Sequence, residues 1–275
     1  SLSDGAITCL AQGPDDSIWV ATLDGVLHRR RPGATSFDRI GATHGLPGGP
    51  IRAMAFGAGG ELWAGSANGL ARIDPQSMHI DSFRHQPDDE TTLSARSVES
   101  IAIMPDGMLW VGTNDGLNAF DPGTGRAVRA YANPDRTDAL PNSWVPDLMV
   151  ARDGKLWVGT QGGACVLLAW DGATARFEHV AERIGRAPQP AEQLIEDAHG
   201  HVWIGPRLRV DPQTWSARHF DAGDTREFRS YYIASRAATR DGALMFGSPE
   251  GLLIVRPERL QDWTFEPPLV TTSIE

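Results

Sequence analysis

Apolar residues along the chain come in short runs, each closed by a cluster of Gly, Pro, Asn or Asp. Between Ser97 and Ala132 the runs are "SVESIAIM", "MLWVGT", "GLNAFD" and "RAVRAYA", and Pro-Asp-Gly, Asn-Asp-Gly and Asp-Pro-Gly turn signals separate them. Runs of this length bounded by turn residues predict strands. The middle runs alternate poorly, and Leu109, Val111, Leu117 and Phe120 suit strands packed on both faces. No stretch holds the ten or more residues of 3.6-residue period that a helical repeat would need. Only "PAEQLIEDAHG" reads as helical, and its counterparts elsewhere in the chain read as strand.

The same phrase then recurs. "DGMLWVGTNDGLNAFDP" around Trp110 is matched around Trp19, Trp63 and Trp157, and more weakly around Trp203 and Met245, which gives six units. The spacings of the Trp slot are 63−19 = 44, 110−63 = 47, 157−110 = 47, 203−157 = 46 and 245−203 = 42 residues. A fixed period in this range marks a repeat architecture. Four short antiparallel strands per unit make a blade, so the prediction is an all-β β-propeller of about six visible four-stranded blades. The blades are expected over 1–43, 44–91, 92–139, 140–186, 187–226 and 227–260, with 261–275 as an exit segment.

The repeated glycines have a mechanical reading. Gly69, Gly116 and Gly251 each follow a polar residue and precede a Leu, where a hairpin between second and third strands needs positive φ. Gly65, Gly112, Gly159, Gly205 and Gly247 lie two residues past the Trp slot, where glycine inside a strand marks a bulge or a close backbone approach. The Trp slot itself reads as packing between blades, because one indole buries a large area. Cys9 and Cys165 fall on opposite sides of the expected ring, too far apart for a disulfide. The Asp residues of the Asp-Gly turns, such as Asp106, Asp153 and Asp241, read as turn formers.

Charge narrows the functions. A net charge of −10 argues against a nucleic-acid footprint. No apolar run is long enough to cross a bilayer, and any secretion signal is expected to lie outside this sequence. HExxH, GxSxG and paired CxxC are absent, so neither a metal nor a cofactor nor a catalytic nucleophile is expected.

The phrase matched by Val98 to Gly125, and again by Val145 to Gly172, resembles the two-component regulator propeller repeat of bacterial sensor proteins. The resemblance implies periplasmic propellers of seven blades, often paired. A three-tyrosine β-sandwich would follow, then a membrane span and a histidine kinase, response-regulator or diguanylate cyclase output. "GLLIVRPERLQDWTFEPPLVTTSIE" resembles the passage into that sandwich. On this reading the chain is a piece of a seven-bladed or double propeller, and the parent is a receptor that could dimerise. Unit five departs from the pattern: Gly205 to Asp211 is three residues shorter than Gly112 to Asp121, so either its hairpin is truncated or residues are missing.

A ligand is expected at the mouth of the central channel, on the loops before each first strand and between second and third strands. Arg52, Asn68, Arg96, Asn114, Asn142, Trp144, Gln161, Tyr231 and Tyr232 are the candidate residues. The resemblance adds an unidentified small molecule or glycan as the ligand class. The competing reading is a propeller lyase, of which virginiamycin B lyase is an example; it would need a base and usually a metal held by convergent His and carboxylates. The eight histidines occupy unlike positions in their units, which favours a non-enzymatic sensor.

Overall fold

A computed structural model describes residues 2, 5–220 and 230–260 of the 275. The first blade holds β1 (Ile7–Gln12), β2 (Ile18–Thr22), β3 (Leu27–Arg30) and β4 (Asp38–Ile40). The second holds β5 (Ile51–Phe56), β6 (Leu62–Ser66), β7 (Gly69–Ile73) and β8 (Ile80–Phe83); the third, β9 (Val98–Ile103), β10 (Leu109–Thr113), β11 (Gly116–Asp121) and β12 (Arg126–Ala130). In the fourth are β13 (Asp147–Val150), β14 (Leu156–Thr160), β15 (Gly163–Trp170) and β16 (Ala175–His179). The fifth has β17 (Leu194–Glu196), β18 (Val202–Ile204), β19 (Leu208–Val210) and β20 (Ala217–His219), and the sixth has β21 (Arg236–Ala238), β22 (Leu244–Ser248) and β23 (Gly251–Val255).

Each sheet is antiparallel with its strands in chain order, and β1, β5, β9, β13, β17 and β21 all line one cavity of about 500 Å³. The molecule is therefore an all-β propeller built around a channel. Among the described residues the sixth sheet has three strands, and the expected exit segment 261–275 lies outside them. Every residue of β6, β10 and β14 is buried, as strands covered on both faces should be.

The Trp slots join neighbouring blades. Trp19 meets Phe56, Trp63 meets Phe120, Trp110 meets Trp170 and Trp157 meets Trp215, each partner coming from the following blade, with ring centroids 5.4–6.3 Å apart. In the first two blades an arginine lies over the indole and reaches on to the next blade: Arg29 donates to the Pro75 carbonyl, and Arg72 to that of Pro122 at 3.2 Å. Trp203 differs, stacking on Phe220 of its own blade at 5.1 Å.

The glycines two residues past the slot make room for the following blade. A Cβ at Gly65 would stand 2.4 Å from Val98 Cγ1, at Gly112 2.6 Å from the Val145 carbonyl oxygen, and at Gly159 2.2 Å from that of Ala191. Backbone cannot yield to a methyl group as a flexible side chain can. Gly159→Ala is thus expected to cost about 1–3 kcal/mol of stability in urea unfolding, the usual toll of overpacking. A cost below a few tenths would show that the blades separate freely here. The hairpin glycines Gly69, Gly116 and Gly251 have φ of 135°, 117° and 146°, as the turn requires.

Two features depart from the sequence reading, and a third matches one of the alternatives it left open. Gly205 lies beyond the end of β18 with φ 56° and open space around it, so it serves a turn rather than a close approach. The segment that read as helical forms strand β17, while a single helical turn, α1 (Val180–Arg183), follows β16. The fifth hairpin is short: β18 and β19 are joined through Gly205, Pro206 and Arg207 alone.

Candidate functional site

The loops before each first strand and the hairpins between second and third strands are laced together by backbone hydrogen bonds. Leu23 donates to Ala6, Ala67 to Pro50, Asn114 to Ser97, Ala191 to Thr160, Gly205 to Gln193 and Tyr232 to Gly247, at 2.8–3.1 Å. These segments therefore form one face of the ring, called the upper face below. Gly116 also donates to Ser143 at 2.6 Å, tying the third hairpin to the fourth blade.

The nine candidate residues lie on or next to this face, but the structure does not gather them into one pocket. Asn68, Arg96, Asn114 and Tyr232 are exposed. The carboxamide oxygen of Asn142 accepts from the Trp144 backbone at 2.9 Å, so it holds its own loop. Gln161 gives its amide to Glu192. Tyr231 lines a cavity of about 600 Å³ between the fourth and fifth blades, and only Arg52 lines the central channel; the other seven border neither.

Besides Arg52, the channel wall holds charges that the loop-based reading missed: Glu99, Asp147, Glu196 and Arg236. Arg52 pairs with Glu99 at 3.6 Å, and Arg152 with Glu196 at 3.3 Å. The third pair, Arg236 to Asp147 at 2.7 Å, is the most buried. Asp147 in β13 also accepts from the backbone nitrogens of Leu148 (3.0 Å) and Leu194 (2.6 Å), while Arg236 donates to the Leu194 carbonyl. One buried ion pair thus ties the fourth, fifth and sixth blades together. Burial pushes the Asp147 carboxyl up to about 6, against the opposing pull of Arg236 and the two backbone donors.

A signal for Asp147 was present in the repeat. It pairs with Gly159, as Cys9 pairs with Ala21, Ala53 with Gly65 and Ser100 with Gly112. A charge at a slot that is small or neutral in those units appears once, as functional or specialised residues do.

Groups that could do chemistry are scattered. Burial pushes the Cys9 thiol up to about 12, and Cys165 higher still, so neither is a ready nucleophile. His79 pairs with Asp81, His85 bonds the Leu93 carbonyl, His179 that of Ala139, and His201 pairs with Asp197, each within its own blade or loop. Among the described residues no group of three His, Cys, Asp or Glu side chains is placed to hold a metal ion. The turn aspartates behave as expected at Asp106 and Asp153, which accept from the nitrogens of Met108 and Lys155 at 3.0 Å; Asp241 instead accepts from the Thr239 hydroxyl.

The profile of the two-component regulator propeller matches residues 1–24 and 139–162. Two segments of the chain are thus similar to the two-component regulator propeller repeat. Both matched copies run from the lead-in of a first strand through β2 and β14, the strands that bear the Trp slot. No curated protein sequence matches the chain. Among solved structures, the extracellular domain of a putative hybrid two-component system from B. thetaiotaomicron superposes with a TM-score of 0.73 at 20% identity, covering 98% of this chain and 36% of that one. Virginiamycin B lyase from Staphylococcus aureus superposes with a TM-score of 0.65 at 12% identity, covering 94% of this chain and 86% of the lyase. PorZ, a surface component of the type-IX secretion system of Porphyromonas gingivalis, gives 0.59 at 19%, with 90% and 38% covered. At these identities the likeness is one of fold. The chain spans about a third of the extracellular domain from B. thetaiotaomicron on which it superposes.

Proposed function

We propose that this chain is an extracytoplasmic sensing segment of a bacterial receptor. It binds a small molecule, a glycan or a protein partner on the upper face and does no chemistry itself. The observation that carries this reading is the match of the regulator repeat to two separate blades. Supporting it, Asp106 and Asp153 are committed to their own turns and Asp147 to an interblade tie, and no described helix is long and apolar enough to cross a membrane. In the parent, a three-tyrosine sandwich would pass a change in propeller packing to a membrane-anchored kinase or cyclase output, in a homodimer.

Thermal-shift screening of the segment against glycans and metabolites tests this reading. A ligand at 100 times its Kd stabilises the folded state by about 2.7 kcal/mol. A hit should also change the output activity of the parent receptor. A hit that mass spectrometry finds converted to product would move the balance to the lyase reading. The same reading predicts that a chelator leaves the melting temperature unchanged, whereas loss of a bound metal would lower it by several degrees.

A further inference from the structure

The cavity of about 600 Å³ between the fourth and fifth blades exists because unit five is irregular. β18 and β19 are three residues long, where β10 and β11 have five and six, so the fifth hairpin is shorter than the third. On the other side the chain leaves β16 through α1 instead of running directly to the next strand, and Val180 and Ile184 give the space an apolar wall facing Ile204 and Leu208. A volume of this size accommodates a small organic molecule.

Its inner end is built from acceptors. Gln193 is 3% exposed, and its Nε2 donates to the carbonyls of Tyr232 (2.6 Å) and Ser235 (3.2 Å). Those two bonds fix the amide, and no donor among the described residues reaches its Oε1. This oxygen is not sealed away from the cavity that Gln193 lines, so it stays open to a ligand's N–H. Next to it, Glu192 has one carboxylate oxygen on the Gln161 amide, and the other takes no donor from the described residues. Tyr231 brings an aromatic ring to the same region, and ring faces attract ammonium groups. Two basic residues also line the cavity: Arg207 in the turn after β18, and His219 on β20, the latter three strand spacings or roughly 14 Å from β17.

We propose that this cavity binds a small molecule with an ammonium group on an apolar body, the ammonium lying between Gln193 Oε1 and the Glu192 carboxylate. The site is separate from the channel mouth and does not depend on signalling, so its failure would leave the sensing reading untouched. Calorimetric titration at pH 7.5 with phenethylamine, and with phenethyl alcohol as its uncharged counterpart, tests it. The amine should bind at least roughly tenfold more tightly than the alcohol, since a hydrogen bond to a charged group carries that much. Glu192→Gln should remove this advantage while leaving alcohol binding unchanged, and Glu99→Gln in the channel should have no effect. Ala181→Phe, filling the cavity, should abolish both; if that variant does not fold, the Glu192→Gln comparison decides alone. Equal binding of amine and alcohol, an unaffected Glu192→Gln, or no heat with 10 mM amine would overturn the proposal.

Discussion

Replacing Trp63 by alanine will destabilise the propeller by about 3–5 kcal/mol, the range for truncating a fully buried large aromatic. Trp63 is 1% exposed, in contact with Phe83 of its own blade (6.0 Å between centroids) and Phe120 of the next (5.8 Å). Arg72 lies over the indole at 5.9 Å, held by Asp81 at 2.6 Å, and donates across the interface to Pro122. Alanine would remove the surface on which that arginine rests, so the loss would fall on two blades at once. Repeat arrays need not unfold in one step. Amide exchange should accordingly rise first in β5–β12, with the fifth blade little changed. Trp63→Met should cost less, because a thioether fills irregular space well and the sixth unit already carries Met245 at this slot. A Trp63→Ala cost under 1 kcal/mol, or exchange rising evenly through the chain, would mean that the slot is not what couples the blades.

The architecture was legible because the constraints that create it repeat. Gly159 has to admit the Ala191 carbonyl and Gly116 has to take positive φ, and the same residues meet the same demands in sister units. Sites do not repeat. Asp147 and Arg236 are 89 residues apart in sequence, and only closure of the sheets around the channel brings them to 2.7 Å. The nine loop candidates were chosen as departures from the repeat, but departures also arise where a loop caps itself, as Asn142 does for Trp144. The shortened fifth hairpin was visible as a count of residues. That it opens a cavity depended on where α1 turns, which the local pattern of "HVAERIG" does not reveal.

The Asp147–Arg236 pair carries the other large effect, and it depends on pH. The carboxyl titrates near 6 in the folded protein against an ordinary value of 3.8, so between these limits the folded state holds a proton that the unfolded state has released. Its contribution to stability is therefore complete below about pH 4 and declines as pH rises toward 6, by about 3 kcal/mol in all at 1.36 kcal/mol per pKa unit. Asp74, Asp121 and Asp171 are held below the ordinary value by the hydrogen bonds they accept in their turns, and their contribution is lost only at lower pH, with the opposite slope. Asp147→Asn should remove the decline between pH 4 and 6. Arg236→Met removes the cation that opposes burial, so the carboxyl should titrate higher still and the decline should continue past pH 6. At pH 7 that variant is expected to lose about 3–5 kcal/mol, the toll of leaving a buried charge without its partner, and to recover much of it at pH 4, where the carboxyl is neutral. Urea unfolding at pH 4, 5, 6 and 7 measures all three proteins on one scale. A penalty for Arg236→Met that is the same at every pH would show that the arginine acts through its bond to the Leu194 carbonyl, and that the carboxylate is not the group binding the sixth blade to the fourth.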